Sequence, residues 1–165
     1  MELRYKTPAD DAMAISDIFE QSWKFAYKGL ISQDYLDSIP RGRWAGRQDY
    51  PGWNTLLLTD GDRPVGICTF GRSRFSVMFP GYGEVYACYL IPDYIGKGNG
   101  RRLLGAALDR LKEKGFKDVF LFVLKGNEKA IRFYEKMGLV NTGKILNGKI
   151  GGQDVEELRY SIHFE

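Results

Sequence analysis

A single histidine, His163, and two cysteines, Cys68 and Cys88, in 165 residues leave little material for metal or relay chemistry. No Cys/His spacing suits zinc, and the lone histidine stands near the chain end on a strand-like run. A Ser-His-Asp or Cys-His relay would depend on it, and no GxSxG elbow is present. No apolar run approaches the roughly 18 residues of a membrane-crossing helix. The opening MELRYKTPADD lacks the apolar stretch of a secretory leader. The expectations are a cytoplasmic protein with no metal, no membrane contact, and two thiols that stay free in apolar strands.

What remains is an ordinary globular composition, 44% hydrophobic and 27% charged, with length for one domain over residues 1–165. The net charge of +3 hides an asymmetry. Residues 1–83 hold ten basic and ten acidic side chains, whereas residues 97–149 hold thirteen basic and five acidic. That excess suits a polyphosphorylated ligand. No nucleic-acid-binding motif accompanies it, so no nucleic-acid partner is expected.

The basic region opens on PDYIGKGNGRRLL, where Gly96, Gly98 and Gly100 stand between an apolar strand-like run and an amphipathic helix. Without Cβ atoms, consecutive backbone N–H groups can turn into one concavity at the positive end of the helix, an anion cradle. It is not a P-loop, because Arg101 stands where GxxxxGK requires glycine. Nor is it a dinucleotide fingerprint, because Arg101 or Leu103 occupies the third glycine position of GxGxxG.

Periodicity orders the rest. ELRYK is a short strand; Thr7-Pro8 reads as a cap leading into a helix with Ala12, Ile15, Ile18, Phe19 and Trp23 on one face; a short helix follows Ser32. NTLLLTD and PVGICTFGRS form a hairpin about Asp60-Gly61-Asp62, and GEVYACYLIP is a further strand. The glycine loop leads into a helix from about Asn99 to Lys114, which ends at Gly115. DVFLFVL has the near-continuous apolar character of a strand buried on both faces, parallel to GEVYACYLIP through a right-handed crossover. Asn127 caps the helix EKAIRFYEKMG, and LVNTGKIL and VEELRYSIHF close the chain as a hairpin. The predicted fold class is α/β (α+β): a mixed, mostly antiparallel sheet of about seven strands with flanking helices, two neighbouring strands running parallel and splaying apart.

YLIPDYIGKGNGRRLL and GNEKAIRFYEKMGLVNTG resemble the two acetyl-CoA motifs of the GCN5-related N-acetyltransferase (GNAT) family, and with the order of elements the resemblance covers nearly the whole chain. SWKFAYKGLISQDYLDSI is similar, less specifically, to small bacterial acetyltransferases of the spermidine/spermine type. One departure is Ile95, where the family signature has Arg or Gln. The resemblance implies acetyl-CoA as cosubstrate, with the pantetheine arm along the strand ending at Leu90 and Ile91. It implies a diphosphate held by Gly96, Lys97, Gly98, Asn99, Gly100 and Arg101, with Arg102 as a further cation. It also puts Asn127 and Lys129 on the cofactor.

The same resemblance makes Tyr134 the general acid for the departing thiolate, a phenol with a reference pKa of about 10 against about 8.5 for a thiol. An amine acceptor is mostly protonated at neutral pH, and Glu84, at the start of the cofactor strand, is the candidate base, directly or through a water. Direct attack in a ternary complex is expected, not an acyl-enzyme on Cys88. Trp23, Tyr27, Tyr35, Phe79 and Tyr82 are candidates to line the acceptor pocket. The expected reaction acetylates a primary amine of a small molecule, with a polyamine as leading guess. The alternatives are a protein N-terminal or lysine acetyltransferase and a non-catalytic CoA sensor, in a monomer or a homodimer.

Overall fold

The computed structural model describes all 165 residues. In chain order it consists of β1 (Glu2–Tyr5), α1 (Ala12–Ala26), α2 (Gln33–Ser38), β2 (Asn54–Asp60), β3 (Arg63–Arg72), β4 (Gly83–Leu90), α3 (Asn99–Glu113), β5 (Asp118–Leu124), α4 (Glu128–Lys136), β6 (Val140–Ile150) and β7 (Gln153–His163). A single 3₁₀ turn, Pro92–Tyr94, links β4 to the glycine loop. No helix is long and apolar enough to cross a membrane.

All seven strands share one sheet in the order β1-β2-β3-β4-β5-β7-β6, and β4 with β5 is its parallel pair. The two faces are covered by different helices. A Cβ on Gly66 would lie 3.3 Å from Leu103 of α3, whereas Tyr89, of opposite parity in the sheet, packs edge-on to Phe19 of α1 at 5.2 Å. Val65, Ile67 and Phe70 of β3 are therefore fully buried. On α3, Leu103, Leu104, Ala107 and Leu111 form a wholly buried stripe.

One expected boundary moves. The first helix begins at Ala12, not after Thr7-Pro8, and its N-cap is Asp11, whose carboxylate accepts from Met13 N–H at 2.9 Å. Residues 7–10 instead form a turn in which Asp10 N–H donates to Thr7 C=O at 3.1 Å. The Asp10 carboxylate takes two donors from Arg4, at 2.6 and 2.9 Å, and the Thr7 N–H at 2.7 Å. These contacts, the Arg4 hydrogen bonds first, hold the Asp10 carboxyl far below the usual carboxylate range.

The parting of β4 from β5 has a local cause. Along β3 the register steps from Thr69↔Ala87 to Phe70↔Val85, so Tyr86 is an extra residue on β4. A bulge of this kind bends its strand and raises the local twist. The parallel pairing then covers Gly83↔Val119 and Glu84↔Phe120, and beyond it the strands diverge toward the glycine loop. The terminal β6–β7 hairpin is longer than expected, and its tip packs on α2: a Cβ at Gly151 would come within 2.5 Å of the Tyr35 ring.

Candidate active site

The divergence leaves main-chain groups without partners. Ile91 N–H reaches Val65 C=O at 2.9 Å, and Tyr89 lies opposite Ile67. Strand alternation therefore turns the polar groups of Tyr89 and Ile91 toward β3 and those of Cys88 and Leu90 into the cleft. This corrects the placement of Ile91: its N–H is taken by β3 and its C=O by Tyr94 N–H at 2.9 Å. Cys88 and Leu90 form the accessible edge, with the Leu90 carbonyl also accepting from Ser22 Oγ at 2.8 Å. Unpaired strand groups of this kind cost about 1–3 kcal/mol each when buried, and a ligand with amides of its own offsets that cost.

At the mouth of the cleft, the N–H groups of six consecutive residues, Gly96, Lys97, Gly98, Asn99, Gly100 and Arg101, have no acceptor within the protein; the first helical bond is Arg102 N–H to Gly98 C=O at 3.1 Å. Gly96 and Gly98 have φ of 80° and 81°, the left-handed region in which side chains are strained. Gly100 is needed for closeness instead: a Cβ there would stand 3.2 Å from Phe133 of α4 and 3.5 Å from Leu90. The loop is thereby pressed against both walls of the cleft. Six free donors at a helix N-terminus fit a diphosphate.

The side chains around the loop divide their tasks. Asn99 is buried and donates to Tyr94 C=O at 3.0 Å, so its side chain holds the turn and its backbone N–H faces outward. Arg102 is tied to Met1 C=O at 2.9 Å, and Lys97 lies over the Tyr94 ring at 5.9 Å. Arg101, without a side-chain partner, is the cation free to meet a phosphate. Asn127 caps α4, its Oδ1 accepting from Ala130 N–H at 3.4 Å, which leaves its amide NH₂ unused. Lys129 lies 5.3 Å over the Phe25 ring of α1. Replacing Gly98 by valine should impose about 1–3 kcal/mol of strain at this φ. Since no atom lies within 4 Å of that Cβ, the effect is on the N–H row and not on packing. The expected result is at least tenfold weaker CoA binding by calorimetry with an unchanged circular dichroism spectrum.

Tyr134 of α4 reaches the cleft beside Cys88. Its hydroxyl makes no hydrogen bond, and burial first, then the neighbouring Cys88, Tyr89 and Cys68, pushes the phenol well above its usual value. It is therefore protonated at neutral pH. Tyr27 and Tyr89 are also held up by burial. Trp23 stacks edge-on to Tyr27 at 4.9 Å, with Tyr35 against the same small core. Phe79 and Tyr82 lie farther along, against Phe120.

Glu84 departs from the expectation of a free carboxylate. It is fully buried, its Oε1 accepting from Arg74 N–H at 2.9 Å and its Oε2 from Arg74 Nε at 3.1 Å and Nη2 at 2.6 Å. Both oxygens are occupied, so Glu84 fixes Arg74 at the cleft. The carboxylate the sequence did not single out is Glu157 of β7. It is half-buried, forms no ion pair and is raised above the usual carboxylate value, mainly by burial; Arg74 opposes the rise and Glu84 adds to it. His163 is far from these groups in the strand register, its Nδ1 2.8 Å from Asp118 Oδ1. Cys88 lies directly opposite Cys68 on β3 and beside Tyr89 and Tyr134.

A groove of about 550 Å³ is lined by Leu30, Asn147, Gln153, Val155 and Leu124, the ladder partner of Glu157, among others. Gln153 bridges its two walls, accepting from Ser32 N–H at 3.1 Å and donating to Leu30 C=O at 2.9 Å.

A sheet parted at its parallel pair, with a row of free donors at the mouth, can hold a phosphorylated ligand that carries amides of its own. The chain belongs to the Acetyltransferase (GNAT) family, whose sequence pattern matches residues 13–139. It is 28% identical to the uncharacterized N-acetyltransferase YuaI of Bacillus subtilis over 129 residues, 76% of this chain and 73% of that protein. It is 26% identical to the L-amino acid N-acyltransferase MnaT of Escherichia coli over 148 residues, 88% of this chain and 83% of that one. Mycothiol acetyltransferases match over less of their own length: this chain spans 41% of the one from Thermobispora bispora, at 41% identity over 122 residues or 68% of this chain, and 19% of the one from Corynebacterium aurimucosum. In fold it superposes on the PaiA N-acetyltransferase of Thermoplasma acidophilum, solved in complex with coenzyme A, with a TM-score of 0.70, 20% identity and 99% and 100% of the two chains covered. The YncA structure from Salmonella typhimurium, solved with acetyl-CoA, gives a TM-score of 0.73 at 22% identity over 100% and 94%.

Proposed function

We propose that this protein transfers an acetyl group from acetyl-CoA to a primary amine of a small molecule by direct attack in a ternary complex. The observation that carries the reading is the pairing of six free N–H donors at Gly96–Arg101 with the open Cys88–Leu90 edge, in a chain of the acetyltransferase family. Relatives named as N-acyltransferases of amino acids and as spermidine N(1)-acetyltransferase support a small amine as acceptor.

Acetyl-CoA supplies an activated thioester carbonyl, whose C–S bond is exchanged for a C–N bond. Gly96, Lys97, Gly98, Gly100 and Arg101 would hold the diphosphate, Asn99 contributing its N–H, while Cys88 and Leu90 would take the pantetheine amides. Asn127 and Lys129 flank that arm. Glu157 accepts the ammonium proton, directly or through a water, because burial leaves it more basic than an ordinary carboxylate. Glu84 acts through Arg74, whose charge it keeps beside Glu157. Tyr134 holds the proton that the departing thiolate needs. A covalent route through Cys88 would require a thiol activator, and the single histidine, His163, stands at the other end of the β5–β7 ladder against Asp118. Gln153 closing the groove between the α1–α2 connection and the hairpin favours a small acceptor over a peptide, which needs an open channel.

The test is acetyl-CoA consumption against a panel of small amines and N-terminal peptides. Turnover of small amines with intersecting double-reciprocal lines is expected. Peptide-only turnover defeats the small-molecule reading, and tight CoA binding without any turnover replaces the enzyme by a sensor.

A further inference from the structure

On β7, two residues beyond Glu157 and on the same face, Arg159 is 6% exposed. Its guanidinium lies over three rings, 3.8 Å from the Phe79 centroid, 4.7 Å from Phe120 and 5.2 Å from Tyr82. Those contacts occupy the flat faces of the group. They do not satisfy its edge, and a guanidinium directs all five N–H donors in its own plane. Nε and Nη2 are buried without any hydrogen-bond partner, and no carboxylate stands within ion-pair distance. The other arginine of this face shows the contrast: Arg74 is 44% exposed yet has a carboxylate on its Nε and Nη2.

A buried cation with empty in-plane donors is costly unless something anionic meets it. The aromatic nest alone does not call for arginine, since a neutral side chain would fill it without that cost. The ladder opposite sets the location: Arg159 faces Phe122 and Glu157 faces Leu124, so the unpaired guanidinium and the unpaired carboxylate lie on one face of the sheet, toward the end of β5 where the cleft opens. Same-face neighbours on a strand are about 6.6–6.8 Å apart, which suits an amine and an acidic group separated by one to three carbons.

Resting on the acetyltransferase reading, we propose that the acceptor is a zwitterion, an amino acid or similar carboxylate-bearing amine, with its carboxylate received by Arg159 and its amine presented to Glu157. The amine nitrogen bonds to the acyl carbon as the C–S bond breaks, its proton leaves to Glu157, and the acceptor's carboxylate is unchanged throughout. A polyamine, with cations only, would bring like charge to Arg159 and Arg74.

The experiment uses matched acceptors on the full chain: L-amino acids, their carboxamides and spermidine, with CoA binding followed by calorimetry. For the wild type, kcat/KM should favour an acid over its amide by at least about tenfold, as expected when one charge-assisted contact is lost. Arg159→Gln should erase that preference through KM for the acid while the amide's kcat/KM stays within about threefold, and Arg159→Lys should restore part of it. Amides or spermidine used as well as the acids would overturn the proposal and leave the transferase reading standing. Equal losses on acid and amide in Arg159→Gln would also overturn it, showing that the arginine only props the 73–82 segment. Should Arg159→Gln not fold, the wild-type acid-to-amide ratio decides alone. CoA binding without turnover of any acceptor would end both readings.

Discussion

Tyr134→Phe should lower kcat by about 10²–10⁴-fold, the range of general acid–base catalysis, while CoA affinity changes less than threefold. The expectation follows from the position of the hydroxyl. It makes no hydrogen bond in the free protein, so its removal breaks no contact and should leave the melting temperature within a degree or two. Burial raises its pKa, so across neutral pH the group is fully protonated and carries a proton ready to give. The alkaline limb of the kcat profile should therefore lie above pH 10 in the wild type when the chemical step limits the rate. If Tyr134→Phe retains wild-type turnover under single-turnover conditions, the acid is a water or the thiolate leaves unprotonated.

The glycine loop was legible in the sequence because what defines it is local, whereas Tyr134 stood out from Phe133 only through the family resemblance. Alternate glycines ahead of an amphipathic helix permit a left-handed turn that other residues resist, as Gly96 and Gly98 adopt. The parallel pair was legible too, since DVFLFVL, apolar after Asp118, asks for cover on both faces and a parallel neighbour, although the bulge at Tyr86 that parts the strands has no mark in either segment. Three features were not. The start of α1 depends on Arg4 drawing Asp10 into a turn, an interaction between β1 and the loop that out-competes Thr7-Pro8 as a cap. The uselessness of Ile91 as a cleft residue depends on which way the β3 register turns its N–H. That Glu84 is taken up by Arg74 while Glu157 stays unpaired depends on two things: Arg74 lies in a connection with no regular pattern, and Glu157 reads as one carboxylate in EE on an alternating strand. Only the pairing of β7 with β5 brings it to the cleft. Sheet faces set by long-range register carry no signature in a single segment.

Glu157→Gln should reduce kcat/KM by about 10²–10³-fold at neutral pH, since loss of a positioned base is worth 10²–10⁴-fold and a water can recover part of it. The stronger evidence is the pH profile. In the wild type, the acidic limb of kcat/KM should report the ionisation of a carboxyl above the usual range, and in Glu157→Gln that limb should disappear, leaving a rate proportional to the free amine. Stability should move the other way. The folded-state pKa of Glu157 lies above the unfolded value of about 4.3, so between the two the native state holds more protons than the unfolded chain. The slope of unfolding free energy with pH is then negative there: stability present below the unfolded pKa is lost as pH rises through the folded one. Glu157→Gln removes that loss, so the variant should melt higher than the wild type at pH 7 and show no such advantage at pH 4. A half-buried carboxylate without an ion pair, kept at the cost of stability, is what the proposed base role requires. A variant that loses both activity and stability at pH 7 would instead make Glu157 a structural group and return the base to an ordered water beside Arg74.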